Sequence, residues 1–162
     1  MDAVPQRHLI TSRAELAEGL VALVSLARSS MRVCAYDASV MSLDSAAMAD
    51  LLRALLLSHR RASVRVLVDT TQWIETRAPR FKTLQRRYGH ALQVREASPQ
   101  DAVSGDMHVV VDDLHSLELK AARLTAGEIW TFSPQRAQPL AATFDRRWAA
   151  AAHDVPLVPL GL

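Results

Sequence analysis

The sequence contains little of what marks secreted, membrane-spanning or low-complexity proteins. Cys34 is the one cysteine among 162 residues, so no disulfide can form within the chain. No apolar run approaches the roughly 18 residues of a membrane-spanning helix, and the first ten residues lack the basic and then apolar order of a signal peptide. Five glycines and seven prolines are too few for a low-complexity chain. These absences predict a cytoplasmic protein with no membrane partner.

Motifs for the common nucleotide cofactors and for zinc are also missing. No Gly-x-Gly fingerprint and no Gly-x-x-x-x-Gly-Lys loop occurs, which excludes the usual glycine-rich cradles for dinucleotides and nucleoside triphosphates. The six histidines are neither paired four residues apart nor placed beside the cysteine, as zinc ligands would be. We therefore expect no cofactor and no bound metal of these kinds.

What the sequence does contain is an ordinary supply of core-forming residues. Hydrophobic residues make up 49% of the chain and the formal net charge is only +2, which excludes disorder. Domains commonly contain about 100–200 residues, so this length predicts one domain. We expect a single α/β domain over residues 1–162.

Hydrophobic periodicity divides the chain into alternating helices and strands. Helices are predicted at residues 13–28, 45–60, 76–88 and 134–152, and strands at 31–36, 63–69, 91–95, 107–112, 116–120 and 128–132. Strands joined by crossover helices are parallel, whereas the three residues between strands 107–112 and 116–120 indicate a hairpin. The predicted fold is therefore a mixed sheet with helices on both faces, parallel in its N-terminal βαβαβ part.

Charge is divided unevenly along the chain. Residues 53–95 hold ten bases and two acids, and residues 96–118 hold six acids and no base. The arginine-rich segment 53–95 could form a nucleic-acid-binding module, with Arg80 and Arg87 as candidate anion-binding residues. The favoured interpretation is that these arginines lie on solvated helix faces and pair with the acidic segment, because the two blocks nearly cancel.

Acidic residues follow the predicted parallel strands. Asp37, Asp69 and Glu96 stand at strand ends, and ligands of open α/β sheets commonly bind at the carboxyl edge. Asp37 and Asp69, joined by Asp112, form a candidate ligand or metal cleft that could hold Mg²⁺ on a phosphate ester. The competing interpretation is that each aspartate caps its own turn.

The C-terminal half carries a resemblance to a known family. An apolar strand ending in Asp112-Asp113 is followed by a hairpin, another strand and a helix bearing Phe144-x-x-x-Trp148. This order resembles the phospholipase D-like superfamily, and in particular its small uncharacterised proteobacterial proteins that lack the His-x-Lys motif, some of which are attached to acetyltransferase domains. The resemblance implies the phospholipase D-like version of the mixed α/β fold.

The catalytic residues of that superfamily have no counterpart here. Its motif, His-x-Lys-x4-Asp, supplies a nucleophilic or proton-donating histidine and a phosphate-binding lysine, and two motifs meet at a pseudo-twofold axis. With Asp112 as the aspartate, the lysine position is Met107 and the histidine position is Gly105; with His108 as the nucleophile, the lysine position is Val110.

The expected role is therefore non-catalytic. We expect no catalytic residues and a binding or assembly function, with a second copy of the chain, another protein or a phosphate-containing molecule as the partner. The resemblance implies a homodimer formed through the edge that joins the two half-sites. An enzyme that uses the acidic strand ends with Mg²⁺ is the alternative.

Overall fold

The structure is a computed structural model that describes residues 3–101, 107–120 and 123–151, with only the backbone of residues 123–125. The strands are β1 Gln6–Ile10, β2 Ser30–Ala35, β3 Ser63–Val68, β4 Leu92–Glu96, β5 Met107–Val111, β6 His115–Lys120 and β7 Arg123–Thr131. The helices are α1 Arg13–Ser25, α2 Ala46–Ser58, α3 Gln72–Arg77, α4 Pro79–Arg87 and α5 Pro134–Ala150. Short 3₁₀ turns occupy Ser39–Met41 and Pro99–Asp101.

All seven strands join one mixed sheet in the order β1-β7-β6-β5-β2-β3-β4. Strands β2, β3 and β4 are parallel, because each is connected to the next through helices. Strand β5 enters antiparallel beside β2, and β6, β7 and β1 continue the antiparallel half. The predicted division into a parallel part and a C-terminal hairpin is confirmed.

Helices cover both faces of the sheet, as predicted. On one face, alternating residues of the strands pack with α1, α2 and α4 into the main core, which includes Val33, Val66, Val109 and Phe81. The opposite face is covered by α5, where Cys34 and Leu67 pack with Phe144 and Trp148. Among the described residues, none of the helices is long and apolar enough to cross a membrane.

The structure differs from the predicted elements in three places. Strand β1 was not predicted, because only Ile10 of its five residues is buried and no alternation is visible. The predicted helix 76–88 is two helices, α3 and α4, separated at Ala78, whose backbone leaves the helical region ahead of Pro79. Strand β7 begins at Arg123 rather than at residue 128.

Candidate functional site

The carboxyl edge of the parallel strands is acidic, and two of its carboxylates accept hydrogen bonds from nearby protein groups. Asp37, just after β2, accepts hydrogen bonds from the backbone N–H (2.9 Å) and the hydroxyl (2.7 Å) of Ser39. Glu96 at the end of β4 accepts from the Thr71 hydroxyl at 3.0 Å. Asp69 follows β3 at the same edge and lies near enough to Cys34 to act on its thiol electrostatically.

Asp112 lies at the opposite edge of the sheet, so the predicted cleft of Asp37, Asp69 and Asp112 does not form. Because β5 runs antiparallel to β2, Val111 pairs with Met31 at the start of β2, whereas Asp37 follows its end. The five residue steps from Ser30 to Ala35 separate the two edges by roughly 17 Å. Within the described residues, no group of three or more His, Cys, Asp or Glu side chains is placed to hold a metal ion.

The Asp112 carboxylate binds the chain that leads into β2. Its oxygens accept from the backbone N–H groups of Arg28 (2.8 Å), Ser29 (2.8 Å) and Ser30 (2.9 Å), and from the Ser29 hydroxyl. Burial opposes ionisation, but these donors outweigh it and hold the pKa of Asp112 below its usual value. Asp112 therefore joins the β5–β6 turn to the α1–β2 connection.

Met107, which the sequence alignment with Asp112 predicts at the lysine position of the phospholipase D motif, is buried. Met107 begins β5, is 7% exposed and packs in the main core with Val109 and Val111. Gly105, at the histidine position, lies outside the described residues.

His108 faces the other side of the sheet from Met107. Its ring is 5% exposed and meets Phe144 of α5 edge-on at 6.5 Å. Burial, helped by the nearby Arg147 guanidinium, lowers the pKa of His108 to about 4, so the ring is neutral near pH 7. Its Nε2 has no hydrogen-bond partner among the described residues. His108 is therefore a buried residue of the α5 interface.

Arginines of the strands contact α5, which the sequence analysis did not predict. Arg32 binds Asp145 of α5 and Asp113; burial acts to lower the pKa of Arg32, but these carboxylates raise it overall. Arg95 lies 4.4 Å over the Trp148 ring, with Arg65 at 5.7 Å from the same ring. These arginines point to the same face of the sheet because of how the strands are aligned. The sequence shows the alternation within each strand, but not the register between strands that brings the arginines together.

The two predicted anion-binding residues do come together. Arg80 and Arg87 of α4 line a groove against α2 with a volume of about 430 Å³. Arg53 of α2 completes the set of basic residues, and Asp50 is the one acid among the lining residues. Arg53 could not be assigned from sequence because the packing of α2 on α4 is a tertiary contact. We call this feature the α2–α4 groove.

Two arginines of the arginine-rich segment pair with carboxylates outside the acidic segment. Arg53 pairs with Asp50 at 3.1 Å and Arg80 with Asp44 at 3.9 Å, both partners preceding residue 53. In the acidic segment, Asp113 pairs with Arg32 and Asp101 with Arg146. These four pairs join the two segments to other parts of the chain rather than to each other.

Comparison with solved structures gives the same fold. Nuc from Salmonella typhimurium, a phospholipase D family member, superposes with a TM-score of 0.62 at 16% identity over 94% of this chain and 99% of its own. TrmBL2, an archaeal chromatin protein described with a novel mode of DNA binding, gives 0.64 at 10% identity over 90% and 53%. Phosphatidylserine synthase from Haemophilus influenzae gives 0.58 at 14% over 94% and 39%.

These identities show the fold alone, which is phospholipase D-like. None of the curated proteins compared with the chain matches it. A family model described as a domain of unknown function, DUF7931, matches residues 12–160. Since that match spans nearly all the elements described above, the chain belongs to the DUF7931 family and has a phospholipase D-like fold.

Proposed function

We propose that this chain is a phospholipase D-like binding domain that does not hydrolyse phosphodiesters. The observation that carries the proposal is Met107, which stands at the lysine position of the superfamily motif and is buried in the apolar core. Phosphoryl transfer through a histidine needs a nucleophile and a cation that neutralises the transferring group. Gly105 and Met107 supply neither.

The surroundings of Met107 support the same conclusion. The edge that would receive the phosphate carries Asp37, Asp69 and Glu96, whose negative charge opposes an incoming anion. His108 is neutral and packs beneath α5, so it does not replace the missing histidine. The buried, unpaired Cys34 fits the cytoplasmic location that the sequence predicts.

A hydrolysis assay tests the loss of chemistry. We expect the full-length protein to release no 4-nitrophenol from bis(4-nitrophenyl) phosphate above the protein-free rate between pH 5 and 9, with Mg²⁺ or with EDTA. Supercoiled plasmid should stay intact under the same conditions.

The controls separate a contaminant from a true activity. An active phosphodiesterase serves as the positive control, and Asp69→Asn and His108→Gln variants are assayed alongside the wild type. Turnover that elutes with the protein and falls in either variant would overturn the proposal, with the first variant assigning it to the acidic edge and the second to His108.

The assembly part of the proposal places a second copy at the carboxyl edge of β2 and β3. This is the edge through which the resemblance implies pairing of two half-sites. Tyr36 follows β2 there and is 53% exposed, which makes it one of four large hydrophobic residues on the described surface. An aromatic side chain at the centre of an otherwise acidic edge is a suitable contact for a partner.

A further inference from the structure

We infer that the α2–α4 groove binds the phosphate backbone of a nucleic acid. The inference names a ligand for the binding role proposed above. The groove lies between helices α2 and α4, so it is separate from Met107 and the other positions aligned with the phospholipase D motif. Binding there requires neither the presence nor the absence of hydrolysis at the carboxyl edge.

The positive charge of the α2–α4 groove is available to a ligand. Arg53 and Arg80 have side chains that are 52% and 59% exposed, and Arg87 is exposed. Arg87 has no carboxylate partner among the described residues; its guanidinium lies 5.8 Å from the ring of neighbouring Tyr88. Three arginines against the single Asp50 leave the groove with a net positive charge.

The existing ion pairs do not compete strongly with a phosphate. The Asp50 side chain is 74% exposed, and exposed ion pairs of this kind are weak because water screens them. Asp44 is already engaged elsewhere, because its Oδ1 accepts the backbone N–H of Phe81 at 3.0 Å at the start of α4. Arg80 can therefore turn from Asp44 to a ligand without leaving that carboxylate unsatisfied.

The spacing of the arginines suits a linear polyanion. Arg80 and Arg87 are seven residues apart on α4, which places them on the same face with an axial separation of about 10.5 Å. A nucleic-acid strand rises about 3.4 Å per nucleotide, so the two guanidinium groups can reach phosphates about three nucleotides apart. Ala46 and Ala49 of α2 line the opposite wall with small side chains, which lets a backbone approach closely.

The described part of the acidic segment, residues 96–101 and 107–118, does not line the α2–α4 groove. Four of its five described carboxylates are bound by other groups: Glu96 by Thr71, Asp101 by Arg146, Asp112 by the backbone of Arg28 to Ser30, and Asp113 by Arg32. These four carboxylates therefore do not neutralise the arginines of the groove. An external polyanion is the partner that this charge favours.

Fluorescence anisotropy with labelled 20-nucleotide DNA, single-stranded and duplex, tests the inference. Contacts of the three arginines with three phosphates would release counterions from the duplex. They predict a slope of about −2.7 for log affinity against log salt, or roughly 40-fold weaker binding at 200 mM than at 50 mM NaCl. The double variant Arg80→Glu/Arg87→Glu should bind at least tenfold more weakly at 50 mM NaCl.

The matched control is Arg60→Glu/Arg61→Glu. It makes the same change in net charge at two exposed arginines of the turn after α2, outside the groove. This control should bind within threefold of the wild type, and circular dichroism should show that both variants are folded.

Three results would overturn the inference. They are no binding of either probe by the wild type, equal losses in the two double variants, and groove-dependent sedimentation with phosphatidylglycerol vesicles in the absence of DNA binding. The last result would assign the groove to an anionic lipid surface. Hydrolysis of bis(4-nitrophenyl) phosphate would contradict the proposed function but leave this inference standing, so the two failures are distinguishable.

Discussion

Asp112 holds the turn between β5 and β6 against the chain that enters β2. It adopts a left-handed backbone conformation, with φ 56°, and its carboxylate satisfies three consecutive backbone N–H groups. Aspartate is among the few residue types that tolerate this conformation. The sequence located Asp112 at the end of a strand but placed it with Asp37 and Asp69, because the direction of β5 in the sheet is not encoded in local pattern.

Asp112→Asn should destabilise the protein by about 2 kcal/mol at pH 7. The asparagine amide has the same shape as the carboxylate and tolerates the same φ. It lacks the negative charge, and its NH₂ group replaces one of the two oxygens that accept hydrogen bonds from the backbone. Urea unfolding measures the change. Asp113→Asn is the matched control: its φ is also left-handed, at 53°, but its carboxylate is 51% exposed and Arg32 retains Asp145. The control should lose less than about 1 kcal/mol.

The effect of Asp112→Asn should depend on pH in a defined direction. Because the folded pKa is lowered, the stabilisation is fully present above the unfolded value of about 3.9. It is lost as pH falls through the lower folded value. The difference between wild type and variant should thus be constant from pH 7 to 5 and shrink below about pH 4. A difference that stays constant at lower pH would exclude the carboxylate charge as its cause.

At the scale of elements, the apolar pattern of the sequence predicted the buried strands but missed a strand that is mostly exposed. Strand β2 was predicted from its alternating pattern and β3 from its near-continuous apolar sequence, and both bury residues on both faces. Strand β1 is stabilised by pairing with β7 along five residues rather than by its own apolar pattern. The break between α3 and α4 was predictable in principle, since Pro79 disfavours a helical conformation at Ala78.

Gly127 makes the closest backbone approach among the described glycines, and its replacement tests the β6–β7 pairing. A Cβ at this position would lie 2.1 Å from the Glu118 carbonyl oxygen and 2.7 Å from Leu119, so the strands would have to separate. Gly127→Ala should cost about 1–3 kcal/mol in urea unfolding. Gly89→Ala is the comparison, because its Cβ would meet its nearest atom at 3.1 Å after the end of α4. An equal loss in both variants would contradict the steric explanation.

At the scale of the whole molecule, a basic groove and an acidic edge lie on different parts of the described surface. Arginines of α2 and α4 line the α2–α4 groove on one face of the sheet, and the parallel strands end in Asp37, Asp69 and Glu96. Sequence counting revealed the basic segment 53–95, with Arg80 and Arg87, and the acidic segment 96–118, which supplies only Glu96 to the acidic edge. Counting charges could not decide whether these two segments contact each other, because that depends on how the helices pack on the sheet. The separation gives each surface a different dependence on salt.

Assembly through the acidic carboxyl edge should strengthen with salt, whereas nucleic-acid binding in the α2–α4 groove should weaken. Two copies that meet at Asp37 and Asp69 repel each other, and ions screen that repulsion over about 10 Å at 0.1 M. Sedimentation equilibrium should show a larger dimer fraction at 300 mM than at 20 mM NaCl, with a severalfold lower dissociation constant. Tyr36→Ala should weaken the dimer at least tenfold.

Leu57→Ala is the control for that experiment, since Leu57 is 63% exposed on α2 and lies away from the carboxyl edge. It should leave the dissociation constant unchanged. A monomer at all concentrations and salts would remove the homodimer from the proposed function. A dimer that dissociates as salt rises, or that loses affinity equally in the two variants, would place its interface elsewhere, since only an acidic interface containing Tyr36 combines salt strengthening with loss on truncation of that ring.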